Sequence, residues 1–164
     1  IYTVYLSRLD GQTIVPNIKK GQINLIIILS MAMMLFQLLL GVNVREAIDT
    51  IAREMGYAYR DTWIEKLDVS FLIHRSFSLL ILGTHILLAY IMKKHQEHIS
   101  KLPYVAMIVM ILLEVITGAC MAYFAIPKFL QPMHLLFANL IIGVQFYVLL
   151  ELNVRIKKYD VTLG

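Results

Sequence analysis

The sequence predicts an all-α integral membrane protein, built as an antiparallel bundle of four transmembrane helices with an amphipathic helix in one outer loop. The first observation is composition: 59% of the 164 residues are hydrophobic and 16% are charged, whereas about 25% of residues are charged in soluble domains. The second is that four segments reach the roughly 20 apolar residues that a bilayer crossing requires. They lie near Ile23–Val42, Val69–Met92, Pro103–Ile126 and Phe129–Leu152.

The positive charges predict how these segments are oriented. The formal net charge is +4, but the lysines and arginines cluster at segment ends, which argues against nucleic acid as a partner. Because positive residues favour the cytoplasmic side, we expect both termini and the loop after the second segment there, or on the matrix side. The acidic Val44–Asp68 loop and the Pro127–Lys128 turn are expected outside. The positive residues concerned are Lys19, Lys20, Lys93, Lys94, Lys101, Arg155, Lys157 and Lys158.

The chain divides into a start, a membrane domain and a tail. Residues 1–22 resemble the polar end of an upstream helix followed by a linker; a short amphipathic N-terminal piece is the alternative. Residues 23–152 form the transmembrane domain, and residues 153–164 form a cytoplasmic tail. The lone Cys120 excludes an intrachain disulfide and a CxxC metal site, and we interpret it as a packing residue.

The outer loop is expected to contain a helix that covers the outer mouth of the bundle. Apolar residues recur there at helical spacing, and Gly56 then offers a stop. Tyr57, Tyr59 and Trp63 are aromatic types that favour a membrane interface. The recurring apolar residues are Val44, Ile48, Ile51 and Met55.

Two pairs of helices share an internal pattern. Gly83 follows His74 by the same interval that Gly143 follows His134. In the first and third segments a polar residue precedes a glycine by four positions. Related halves of this kind are common in membrane proteins. The polar–glycine pairs are Gln37 with Gly41 and Glu114 with Gly118.

His74 and His134 form a candidate metal-ligating pair. Each lies about 7 Å below the outer edge of the hydrocarbon core, counted at ~1.5 Å per residue. Their helices run in the same direction, so an antiparallel bundle places them diagonally, with the two imidazoles facing each other. This arrangement suits axial ligation of a b-type haem iron from both sides. The alternative is that each imidazole only bonds a neighbouring helix.

Further residues are candidates for the same cofactor site. Gly41 and Gly118 would let the backbone approach a flat ring, and the cations Arg45 and Arg75 could pair with haem propionates. No catalytic residue is assigned.

Two deeper polar residues have a less certain meaning from sequence alone. His85 lies about 16 Å below His74 on nearly the same face. It could ligate a second haem, but a hydrogen-bonded or proton-handling role fits better because no histidine matches it in the fourth segment. Glu114, expected near the depth of His85, is a candidate for a polar or proton role. His95 and His98 are expected to be solvated.

Three stretches together resemble the haem A synthase family, specifically its second, C-terminal four-helix half. They are "QLLLGVNVREAID" (Gln37–Asp49), "HRSFSLLILGTH" (His74–His85) and "AYFAIPKFLQPMHLL" (Ala122–Leu136). The resemblance implies an oxidoreductase that converts the methyl group of haem O to the formyl group of haem A for cytochrome oxidase assembly. By resemblance, His74 and His134 occupy the positions that ligate a prosthetic b-type haem.

The resemblance also implies what this chain lacks. Family members hold the haem O substrate in the other half, beside an outer-loop glutamate, whereas "FLI" precedes His74 here. The cysteine pair of some members is absent. Half-length homologues that self-associate leave open a homo-oligomer or a place in a respiratory complex, and the electron donor is not indicated. The location implied is the bacterial or mitochondrial inner membrane. A b-type cytochrome subunit linking a quinol to a partner, and a non-redox assembly subunit, are the competing hypotheses.

Overall fold

The computed structural model describes residues 20–94 and 101–162 of the chain. Within these ranges the chain forms four α-helices and two short 3-10 turns, Arg60–Thr62 and Ile64–Lys66, and no strand. The predicted all-α class is confirmed. The helices are α1 (Lys20–Glu54), α2 (Val69–Lys94), α3 (Lys101–Tyr123) and α4 (Leu130–Thr162).

All four helices are long and apolar enough to cross a membrane. Most of their large apolar side chains point outward; Leu39 and Leu79, for example, are more than 60% exposed. Such a surface suits lipid tails, whereas a soluble protein rarely exposes a large contiguous apolar surface. The chain is therefore an integral membrane protein.

Two helices run past the limits of the predicted membrane segments. The predicted helix in the loop after the first segment is present, and it continues α1 without a break to Glu54. No proline interrupts this stretch, and its apolar residues keep the helical period, so nothing ends the helix earlier. Likewise the predicted tail from residue 153 continues α4 as far as Thr162. The predictions for residues 1–19 and for His95 and His98 lie outside the described residues.

The four helices pack as a closed ring around one core. Helix α1 packs against α2 and α4, and α3 packs against the same two helices. Helices α2 and α4 are therefore diagonal, as the sequence predicted, and so are α1 and α3.

The core consists of three apolar clusters stacked along the bundle, and polar groups lie between them. The cap cluster packs the α1 extension against the loops: Val44, Ile48, Ala52, Trp63 and Ile126. The middle cluster joins all four helices: Met34, Ile81, Ile111, Ala138 and Ile141. The inner cluster fills the opposite end: Ile23, Ile27, Leu88, Ala89, Met92, Met107, Val148 and Leu152.

The C-terminal ends of α1 and α3 stop in the same way. In α1, the N–H of Tyr57 donates to the carbonyl of Ala52, 2.7 Å away, and Gly56 has φ +59°. In α3, the N–H of Ile126 donates to the carbonyl of Met121 at 3.1 Å, and Ala125 and Ile126 are both left-handed, with φ +53° and +52°. This six-residue closure satisfies carbonyls at a helix end and favours glycine at the left-handed position. The prediction that Gly56 stops the outer helix is confirmed.

Arg60 joins the two outer loops. Its guanidinium donates hydrogen bonds to the carbonyl oxygens of Ala125 and Ile126. The same group lies 5.0 Å from the centre of the Trp63 ring, within range of a cation–π interaction. These contacts fix the loops above the histidine-bearing ends of α2 and α4.

Candidate cofactor site between two histidines

His74 and His134 lie in one layer of the bundle, between the cap cluster and the middle cluster. His74 follows Phe71 of the cap by one turn of α2 and precedes Ile81 of the middle cluster; His134 precedes Ala138 of that cluster by one turn of α4. Both side chains are partly buried.

Each histidine packs against the glycine of the preceding helix. A Cβ atom added at Gly41 would lie 3.4 Å from Cε1 of His74, and one added at Gly118 would lie 3.1 Å from Cε1 of His134. The glycines therefore make room for the imidazoles themselves, where the sequence had suggested room for a macrocycle. The repeated spacing in the sequence corresponds to a repeated helix–helix contact in the structure.

Both ring nitrogens of His134 have polar neighbours on α3. Nε2 lies 3.3 Å from Oε1 of Glu114. Nδ1 lies 3.1 Å from the hydroxyl oxygen of Thr117. Glu114 was expected near the depth of His85, but its carboxyl lies in the layer of His134 instead.

His74 is held differently, through its backbone. The side-chain amide of Gln37 donates to the carbonyl oxygen of His74 at 3.0 Å. Nδ1 of His74 is buried and has no hydrogen-bond partner among the described residues, and the same holds for Oε1 of Gln37. A buried polar atom without a partner costs free energy, so His74 is the less satisfied of the two imidazoles.

His85 belongs to a separate polar layer below the middle cluster. Its Nδ1 lies 2.8 Å from the carbonyl oxygen of Ile81, and its Nε2 lies 3.0 Å from Nε2 of Gln145. Gln145 also donates to the hydroxyl of Ser30 at 2.6 Å. Because a carbonyl can only accept and an amide nitrogen can only donate, His85 is neutral with its hydrogen on Nδ1. The partner of His85 on α4 is an amide and not a second histidine, which favours the hydrogen-bonded interpretation over a second haem ligand.

The two arginines predicted near the outer mouth differ in their contacts. Arg45 forms an ion pair with Asp49 at 2.9 Å and donates to the side chain of Gln131 at the start of α4. Arg75 lies on α2, next to His74 in sequence, and is exposed. Arg45 therefore already links α1 to α4, whereas Arg75 is the more accessible cation.

Sequence reasoning missed three residues that shape this region: Thr117, Gln145 and Arg60. Gln145 lies in the fourth segment at the level of His85, where the sequence offered no second histidine to pair with it. The signal for Thr117 was its position beside Gly118, but its partner is visible only when α3 and α4 are placed side by side.

The donor set fits a bis-imidazole metal site better than a carboxylate or thiolate site. No group of three or more histidine, cysteine, aspartate or glutamate side chains that could hold a metal ion is present among the described residues, and the one cysteine, Cys120, is free. A pair of neutral imidazoles on diagonal helices suits an iron that already has four ligands from a macrocycle.

Fold and site together define the chain as a four-helix integral membrane protein with a pair of partly buried histidines near one end. A comparison with protein-family models gives the family: COX15-CtaA, described as cytochrome oxidase assembly protein, matches residues 2–146. The chain belongs to this family, and its role is in cytochrome oxidase assembly. Neither the curated proteins nor the solved structures contained a match.

Proposed function

We propose that this chain is the cofactor half of a haem A synthase, holding a prosthetic b-type haem between His74 and His134. The observation that carries the proposal is the pair of imidazoles in one layer on diagonal helices, with Nδ1 of His74 buried and without a partner. Membership of a cytochrome oxidase assembly family supports the same function.

In this proposal the chain's own residues bind, orient and shield the cofactor. His74 and His134 would hold the iron through their imidazoles. The cap cluster would exclude water from the outer side, and the middle cluster would do so from below. Arg75 would offer a cation to the propionates, with Arg45 beside it at the outer mouth. When bound, the haem supplies one-electron transfer at a potential that its ligands and surroundings set.

The overall reaction would be oxidation of the haem O methyl group to the formyl group of haem A. The substrate haem would lie in the other half of the enzyme, because the residues before His74 are "FLI" and include no acid. The chain would therefore contribute the redox cofactor, and the substrate-binding centre would be separate. We also propose that the cap cluster faces the outer side, in line with the distribution of positive charges.

A plain b-type cytochrome that transfers electrons from a quinol is the second candidate. A second pair of facing histidines deeper in the bundle would have favoured the cytochrome. His85, the histidine at that depth, is instead hydrogen-bonded to Ile81 and Gln145.

The test is haem binding by the purified protein and by three alanine variants. His74→Ala and His134→Ala should each lose the low-spin b-type band of the reduced-minus-oxidised spectrum. His85→Ala is the matched control: it removes a buried histidine from α2 but should keep the band. Haem O or haem A in a pyridine extract would favour the synthase over the cytochrome. A wild-type protein that stays colourless when haem is supplied would refute ligation.

A further inference from the structure

Asn139 is a polar side chain on the outer surface of α4. It lies nine residues after Leu130, or about 14 Å along the helix, in a segment of 24 residues that is long and apolar enough to cross the membrane. The hydrocarbon core is about 30 Å thick, so the carboxamide lies near its middle, and the side chain is exposed. Polar groups left in contact with lipid tails cost free energy. Another protein surface that covered Asn139 would remove this cost.

The other three helices present large apolar side chains at this depth. In the internal pattern, Leu79 precedes Gly83 on α2 just as Asn139 precedes Gly143 on α4. The position equivalent to Asn139 is therefore apolar, so the repeat does not account for the amide. The outward residues at this depth on α1, α2 and α3, each between 49% and 68% exposed, are Leu35, Phe36, Leu79, Leu80, Leu112 and Ile116.

Gly143 lies one helical turn from Asn139 and shares its face of α4. It is exposed, and a Cβ atom added there would meet nothing within 4 Å. Small residues at such positions let the backbone of a neighbouring membrane helix approach closely. Leu136 and Phe146, 47% and 51% exposed, lie on either side and offer apolar surface to the same neighbour. We call these four residues the amide face of α4.

The hydrogen-bonding groups of Asn139 indicate what fits against this face. A side-chain amide has two N–H groups and one accepting oxygen. One N–H donates to the carbonyl oxygen of Leu135, 2.7 Å away. One N–H and the oxygen Oδ1 are then left, so the best partner offers one acceptor and one donor at the same depth.

A second copy of the chain meets this requirement. The positive charges at the segment ends set the orientation in the membrane, so two copies insert in the same direction. Asn139 then lies at one depth in both. A two-fold axis along the membrane normal places the two amides opposite each other, and each can donate one hydrogen bond and accept one.

We propose that the amide face of α4 is the interface of a two-fold homodimer. The two Asn139 side chains form a reciprocal pair of hydrogen bonds near the middle of the membrane, and Gly143 lets the two α4 helices approach. Such an interface uses the same patch on both copies. The inference does not depend on haem ligation, because His134 contacts α3 inside the bundle whereas the amide face lies on the outer surface.

Disulfide cross-linking of the full chain in membranes tests this interface. Cys120→Ala removes the native thiol, and Gly143→Cys then places one at the contact. A disulfide needs Cα atoms about 4.4–6.8 Å apart, which closely packed helices provide. Gly83→Cys is the matched control, because this glycine is also exposed and an added Cβ atom there also meets nothing within 4 Å.

Analytical ultracentrifugation in detergent gives a second measurement, on wild type and Asn139→Leu without added cysteines. Leucine is a good helix former and suits a lipid-facing position, so this variant keeps the bundle and removes only the amide. Two interhelical hydrogen bonds of the usual strength in membranes correspond to roughly tenfold in the dissociation constant of the dimer.

We expect Gly143→Cys to form a disulfide-linked dimer, Gly83→Cys to remain monomeric, and Asn139→Leu to dissociate roughly tenfold more readily than wild type. No cross-link in Gly143→Cys, or equal cross-linking in Gly83→Cys, would overturn the proposed interface. Equal dissociation constants for wild type and Asn139→Leu would overturn the amide pair. A Gly143→Cys thiol that links to a different membrane protein would overturn the second copy as the occupant. A colourless protein that still dimerises would refute only the proposed function.

Discussion

The glycine–imidazole contacts lead to a prediction with matched controls in the same chain. Replacing Gly118 by alanine places a methyl group 3.1 Å from Cε1 of His134, closer than ordinary contact, so the ring must shift by a few tenths of an ångström. The same change at Gly41 gives 3.4 Å to Cε1 of His74, an ordinary contact distance. At Gly83 and Gly143 the added methyl group would meet nothing within 4 Å.

Two opposing effects set the expected magnitudes. Glycine to alanine inside a helix favours the folded state by about 1 kcal/mol, and this gain applies at all four positions. Overpacking costs about 1–3 kcal/mol, and we expect it in full only at Gly118. Gly118→Ala should therefore be about 1–3 kcal/mol less stable than Gly143→Ala, with Gly41→Ala between them.

Thermal denaturation in detergent, followed by loss of monodisperse protein, measures this order, and haem retention gives a second reading. In Gly118→Ala the displaced His134 ring moves away from Thr117 and Glu114 on α3. This variant should therefore also retain less haem than Gly143→Ala. Equal stability and equal haem retention in these two variants would refute the packing of His134 against Gly118.

Three further predictions concern single contacts. Gln145→Leu should destabilise the bundle by about 1–3 kcal/mol in the same thermal assay, because Nε2 of His85 loses its donor in a buried layer; an unchanged melting temperature would contradict that hydrogen bond. Ala125→Gly should raise stability by up to about 1 kcal/mol, because φ +53° costs alanine about 1–2 kcal/mol and the extra freedom of glycine in the unfolded chain offsets about 0.4–1 kcal/mol of that; a less stable variant would argue against the left-handed helix end. Hydrogen bonds from the side chain and backbone of Ser70 hold the pKa of Asp68 below its ordinary value. The contribution of the ionised Asp68 to the free energy of unfolding is therefore complete above the unfolded pKa of about 3.9, and it is lost as pH falls through the lower folded pKa. The stability difference between wild type and Asp68→Ala should accordingly stay constant above about pH 5 and shrink below it, and a difference that grew on acidification would reverse the assigned sign.

The elements that the sequence predicted well depend on local patterns. Hydropathy alone located four membrane helices, because each must satisfy its own backbone and present apolar side chains to lipid. The continuity of α1 was missed because hydropathy falls at Arg45 although the helical period persists. A hydropathy boundary marks where the environment changes, and the backbone needs a glycine or a proline to stop.

The candidate site was predicted only as far as helix direction and depth allow. Depth placed His74 and His134 in one layer, but it also put Glu114 near the level of His85, whereas its carboxyl lies at the level of His134. Depth says nothing about the face of a helix on which a residue lies, and α3 turns Glu114 toward His134. Thr117 was missed for the same reason, since its contact with His134 depends on how α3 and α4 are rotated against each other.

The central claim is that two histidines of this chain ligate one haem iron. Electron paramagnetic resonance of the oxidised, haem-loaded wild-type protein tests it most directly, because the signal depends on both axial ligands. Ligation by His74 and His134 predicts a low-spin ferric signal that becomes high-spin in either single alanine variant. A high-spin signal in the wild-type protein, or a low-spin signal that survives in both variants, would contradict it.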